Sequence, residues 1–258
     1  MCEESHFRRN PSENFFVNYL MSAPNRKLTR IAWIAVWLLA VIGLAAATHR
    51  ILALKYPETF ARHSSPAAVT DIGFAQHKLL TFVHILPGML FMVLGPLQLS
   101  RTIRSKHLTF HRWSGRVFLV SCAIIVTSAL IMSFRMTIGG ASETTATTFY
   151  GLLFAFCLTK AFVHIRRREI LLHREWMIRG FAIGLGVATV RPIVGAFFAA
   201  RRLAPHEFFG AAFWLGFTIN LIAAEAWINC TRSRRMPEQI AMASGALADT
   251  SMPVSTRR

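Results

Sequence analysis

The chain has 258 residues, 53% of them hydrophobic and only 16% charged, with a mean hydropathy of +0.42. A soluble core of this size could not hide so much apolar surface, which excludes an ordinary globular domain. The net charge of +17 gathers at the ends of apolar blocks rather than along one face of a domain, so it marks membrane topology and lipid contact and not nucleic-acid binding.

Residues 1–30 form a polar tail containing an aromatic cluster, Phe15, Phe16 and Tyr19, that either lies in the membrane interface or stays unstructured. The first apolar block, Ile31 to Ala47, approaches the ~20 residues that a ~30 Å hydrocarbon layer requires. Its flank, Leu44 to Thr48, resembles a cleavage site, yet the tail before it carries Glu3, Glu4 and Glu13, unlike a short basic leader; a retained signal-anchor helix is expected. The connection that follows, with Pro57, Ser64, Ser65, Pro66 and Asp71, is the longest in the chain and is expected to lie outside, over the mouth of the bundle.

The second block, Leu79 to Leu99, contains Pro87-Gly88 and Gly95-Pro96. Proline lacks a backbone donor and clashes with the preceding turn, so a kink near Ile85 and a helix end near Leu94 are expected. A short basic connection from Ser100 to Arg112 makes the third block, Trp113 to Phe134, an antiparallel neighbour of the second. The fourth block, Phe149 to Ile165, runs into Arg166-Arg167-Arg168, and the fifth and sixth are Gly180 to Ala200 and Phe208 to Ile228. The tail 230–258, with Pro237, Gly245 and Pro253, is expected to be disordered. The plan is thus an all-α polytopic bundle of about six transmembrane helices over 31–229, flanked by two polar tails.

With the N-terminus in the cytoplasm, 20 of the 29 lysines and arginines fall on the inner side, 7 fall outside, and Lys160 and Arg191 lie within blocks. The bias places both termini in the cytoplasm of a bacterial inner membrane, with anionic lipid headgroups against the basic face. Cys2, Cys122, Cys157 and Cys230 have neither disulfide nor zinc spacing, and the two within blocks read as packing residues. Gly115, Gly180, Gly184 and Gly186 allow close helix approach or admit a flat ligand, and Trp113 and Trp176 read as interface anchors.

A charge within a span is costly, so Arg191, followed by Pro192, is a functional candidate as an anion or propionate clamp or part of an ion path. The competing reading has its guanidinium capping carbonyls freed by the proline, or paired with Glu225. Lys160 is close enough to a helix end to snorkel. Of ten histidines, His84 is expected one to two turns below the outer surface, lining the interior with Arg191 as a candidate cofactor contact, whereas His107, His111, His164 and His173 gather at inner helix ends. Facing helices can supply axial histidine pairs to haem iron, so His111, His164 and His173 are candidate ligands. Arg112, Arg116, Arg174 and Arg179 stand beside them as propionate partners. No carboxylate joins these histidines at metal-hydrolase spacing, and motifs such as HExxH and GxSxG are absent.

Four segments, His84-Ile85-Leu86-Pro87-Gly88, Gly95-Pro96-Leu97-Gln98, His111-Arg112-Trp113-Ser114-Gly115-Arg116-Val117-Phe118 and His173-Arg174-Glu175-Trp176-Met177-Ile178-Arg179, are followed by Arg191. Together they resemble a family of bacterial multi-pass membrane proteins catalogued as domain of unknown function 2306, over roughly His77 to Ala200. The resemblance implies an integral membrane domain in which these histidines and arginines matter, and it lends no activity. Phe118 stands where tyrosine is expected. A more distant similarity links the chain to b-type cytochrome helical bundles.

Three functions are therefore open: a b-type haem or quinone-linked electron carrier with a redox partner, a small transporter or channel for an anionic or lipid-like solute, or a non-catalytic assembly factor. The topology is directly testable: reporter fusions at the two ends of the chain should both behave as cytoplasmic. A phosphatase fusion active at either end would overturn the orientation.

Overall fold

A computed structural model describes residues 26–57, 71–200 and 203–232. The aromatic cluster at Phe15, Phe16 and Tyr19, most of the long connection, Arg201, Arg202 and the tail with Pro237, Gly245 and Pro253 lie outside the described residues. Eight helices are present among the described residues: α1 (Arg26–Lys55), α2 (Asp71–Gln76), α3 (Lys78–Leu99), α4 (Arg101–Lys106), α5 (Leu108–Arg135), α6 (Gly140–Arg166), α7 (Ile170–Ala200) and α8 (Pro205–Arg232). Six of them, all but α2 and α4, are long and apolar enough to cross a membrane. Even the shortest, α3 with 22 residues, is about 33 Å long at the usual helical rise, enough for the hydrocarbon layer.

The apolar blocks locate all six spans but underestimate most of their lengths. Intrahelical hydrogen bonds continue past the apolar stretch into the interface, so α5 begins at Leu108 and α7 at Ile170. The histidine and arginine segments before Trp113 and Gly180 are therefore helical, and helical periodicity decides which of their side chains face the bundle.

The expected end of the second span near Leu94 is corrected: α3 runs through Pro87 and Pro96 to Leu99. A proline removes a single backbone donor, and Gly95 and Pro96 are buried, with Gly95 lying beneath the Phe181 ring. The helix stops instead at Ser100, whose extended backbone (φ −65°, ψ 126°) hands the chain to α4. At the other tight connection, Arg168 adopts φ 62°, Glu169 N–H bonds His164 O at 2.9 Å and Arg168 N–H bonds Ile165 O at 3.1 Å. This crossed pair of bonds closes α6 and turns the chain directly into α7.

Residues 33–225 form one compact unit; the other unit takes in the start of α1 and the end of α8. Within 33–225 the most extensive pairings are α6 with α7 and α3 with α5, and α5 with α6 joins them. The core centres on Phe91, stacked on Phe118 at 5.3 Å, edge-on to Phe154 at 6.0 Å and tilted against Phe181 at 5.4 Å. Phe118 is fully buried here, so a ring without a hydroxyl suits the position. Cys122 and Cys157 are buried packing residues.

The glycines of α7 mostly receive side chains. A Cβ at Gly184 would enter the Phe91 ring and one at Gly186 the Phe217 ring, while one at Gly180 would press on Leu158. Backbones do meet between α7 and α8, where a Cβ at Gly216 would lie 3.2 Å from Gly186 O. Gly184→Val should therefore destabilise the protein by about 1–3 kcal/mol through overpacking, read as a lower melting temperature in detergent. Gly88→Ala, which meets nothing within 4 Å, should leave it near wild type.

Candidate functional site

Two polar regions occupy opposite ends of the bundle. The first is a cavity of about 240 Å³ walled by α1, α2, α3, α5, α6, α7 and α8. Its walls are chiefly aromatic rings, methionines and small residues, including Phe91, Phe154, Phe217, Met92, Met132, Gly88, Ala129 and Gly151. His84, Arg191, Arg50, Glu143, Tyr150, Ser133 and Thr147 supply its polar groups.

His84 is positioned by Ser128, with Nδ1 to Oγ at 3.0 Å. The buried Ser128 hydroxyl has one proton and donates it to Ile124 O at 2.6 Å. So engaged, Ser128 is suited to accept from His84 Nδ1–H, and the ring has a further backbone partner at Ile125. Arg191 is within electrostatic reach of the same ring and also lines the cavity. Glu143 is held at the start of α6, its Oε2 accepting from Ile138 N at 2.8 Å and Gly139 N at 2.6 Å. The carboxylate thus answers backbone donors that the helix leaves unpaired and faces the cavity from a fixed position. Tyr150 donates to or accepts from Thr218 at 2.6 Å and stacks on Phe217 at 4.9 Å.

The second region lies at the basic end. His111 and His173, from α5 and α7, come within electrostatic reach of each other and of Arg104 on α4, and His164 is within reach of His173. His173 Nδ1 donates to Ala161 O at 2.9 Å, and His164 Nδ1 pairs with Glu169 Oε2. His111 Nδ1 is buried without a hydrogen-bond partner. Nearby, Gln98 Nε2 on α3 donates to Ser114 Oγ on α5 at 2.6 Å. No group of three or more potential metal ligands occurs among the described residues.

The arginines chosen from the sequence part company. Arg112 and Arg116 are exposed, the latter with its guanidinium 4.6 Å from the Trp113 ring centroid, and Arg174 is half-buried. Arg179 is committed to α8: Nε donates to Glu225 Oε1 at 2.5 Å and Nη2 to Oε2 at 2.9 Å. Glu225, one of the partners considered for Arg191, thus receives a two-pronged contact from Arg179 on both carboxylate oxygens. Trp176 lies between two cations, 4.8 Å from Arg179 and 5.8 Å from Lys160, which is consistent with a lysine reaching toward the interface.

Sequence reasoning missed Arg50, Ser128, Glu143 and Tyr150 as neighbours of His84 and Arg191. Arg50 and Glu143 carry a usable signal, since each is a charge near the end of a span. Ser128 and Tyr150 carry none, being ordinary residues of apolar helices until a partner faces them.

The family described as Predicted membrane protein (DUF2306) matches residues 81–228, more than half of the chain, and the protein belongs to that family. The match reaches through most of α8, beyond the expected limit at Ala200, and leaves α1 and α2 outside it. No curated protein and no solved structure matches.

The Arg179 and Glu225 pair is testable by a double-mutant cycle in detergent. Arg179→Gln and Glu225→Gln should each lower stability, with a coupling of about 1–3 kcal/mol. Strict additivity would show that the two side chains do not support one another.

Proposed function

We propose that this DUF2306 protein binds a membrane-soluble ring compound of the quinone class in the α3–α5–α7 cavity and acts as a quinone-linked electron carrier. The observation that carries this reading is the placement of His84 and Arg191 together in the lining of a largely apolar chamber. The His84 ring hydrogen-bonds a quinol hydroxyl, and a guanidinium donates to a quinone oxygen. Aromatic and methionine walls match the ring faces. The positive-inside bias supports a basic end on the cytoplasmic side of a bacterial inner membrane, with this cavity in the outer half.

A specific observation also favours haem b at the basic end. Ala161 and Glu169 hold Nδ1 of His173 and His164, the arrangement that leaves Nε2 as an iron ligand. Haem bound there would supply one-electron chemistry, with His111, His164 and His173 as candidate ligands and Arg112, Arg116 and Arg174 near its rim. A reduced-minus-oxidised spectrum of protein made with ample haem should then show Soret and alpha bands, lost in His173→Ala; a flat spectrum removes the haem form.

For the quinone form, a short-tailed benzoquinone should quench Trp214, whose ring centroid is 5.6 Å from that of Tyr150 in the cavity wall. His84→Ala and Arg191→Ala should each weaken binding about tenfold, as expected for loss of one hydrogen bond to a buried polar ligand. Gly88→Leu, which fills the cavity from α3, should abolish it. Wild-type protein that shows no saturable quenching would sink the reading.

A further inference from the structure

We infer that α1 is the movable wall of this cavity and that the ligand enters sideways from the bilayer as the Arg50 end of α1 swings away from α3. The inference rests on the ligand-binding reading above. Gly43, Ala46, Ala47 and Arg50 of α1 all line the cavity. Yet α1 is the least embedded span, with 11% of its apolar stretch buried against 28% to 33% in the other five. It also lies outside the family segment, which begins at residue 81 and contains His84 and Arg191. The polar pair proposed to contact the ligand thus lies within the segment the family match covers, and α1 closes the cavity from outside that segment.

The seam between α1 and α3 is built for separation. At its middle, Gly43 meets the end of a flexible side chain: a Cβ there would lie 2.7 Å from Met92 Cε. Small residues continue toward the cavity end, so few interdigitated side chains need to disengage. Of the two buried residues of α1, Ala40 (1% exposed) lies in the half nearer the basic end, and Leu54 (9% exposed), beyond Arg50, is the one large side chain that must leave its packing as that end swings. In water, parting two apolar helices exposes hydrophobic surface at high cost; in lipid the tails replace the lost contacts, and the cost falls to packing and polar terms.

One polar contact at the cavity end of this seam acts as a latch. The Arg50 guanidinium lies 4.0 Å from the ring centroid of Phe74 on α2, and both residues line the cavity. The contact ties the end of α1 to the segment leading into α3. An electron-rich ligand head that reaches Arg50 would compete with the Phe74 ring for the same cation, which couples occupancy to closure.

The test is a reversible lock. Gly43→Cys combined with Met92→Cys, in a chain also carrying Cys2→Ser and Cys230→Ser, allows α1 to be tied to α3 by oxidation. With the short-tailed benzoquinone as probe and Trp214 quenching as readout, the reduced protein, whose two substitutions lie in the cavity lining, sets its own reference exchange rate. Oxidation should slow exchange at least tenfold, and a reductant should restore it. Equal exchange rates before and after a verified cross-link would overturn the moving wall while leaving the binding site intact. Absence of quenching in the reduced form and in wild type would instead remove the binding reading, and the wall with it. If the pair does not cross-link, Arg50→Ala and Phe74→Leu decide the matter: each should speed ligand release about fivefold, the rate equivalent of one cation–π contact, and unchanged release in both overturns the proposal.

Discussion

Hydrocarbon offers no hydrogen bonds, so every polar group carried into these helices has to be answered by the protein itself. The hydroxyls of Ser114, Ser128, Thr127 and Thr159 return to carbonyls one turn back in their own helices. Larger groups cannot be satisfied so locally and reach across. Arg179 takes Glu225, while Asn220 donates to Ala182 O at 3.1 Å and accepts from Thr189 at 3.0 Å. Both contacts join α7 to α8. In a solvent as apolar as leucine, burial alone cannot select that partner or its register; paired polar groups can.

Shape does the remaining selection. The central rings of Phe91 and Phe181 occupy notches left by Gly184 and Gly95, and Phe217 occupies the notch at Gly186. Where a glycine is not met by a ring, as at Gly88, space remains, and this space is continuous with the wall of the cavity. The cavity follows from the same distribution of large and small residues that packs the core. Its polar lining is sparse but ordered: Ser128 holds His84, and two backbone donors fix Glu143.

The two polar regions have different chemistry. At the cavity end, one imidazole and two guanidinium groups stand among rings and methionines, a setting for an apolar molecule with a polar head. At the basic end, imidazoles from α5, α6 and α7 converge beside Arg104, and two of them are oriented by a carbonyl and a carboxylate. Between them lies the packed core around Phe91, Phe118 and Phe154. The arginines at the basic end are less uniform than their clustering in the chain implies, since Arg179 is tied to Glu225 whereas Arg112 and Arg116 lie at the surface.

The sequence by itself determined the number of spans, their order, the membrane setting and the family, because the cost of placing charge or bare backbone in lipid is legible residue by residue. His84 and Arg191 were legible for the same reason, each being a polar group where lipid tolerates few. Their shared cavity, the contact of His84 with Ser128, the contribution of Arg50 from outside the family segment and the two-pronged contact of Arg179 with Glu225 were decided only in the tertiary structure. Helical periodicity says which residues share a face, but not which other helix that face meets, nor its height along the partner. Those depend on matching rings to notches and donors to acceptors across segments far apart in the chain.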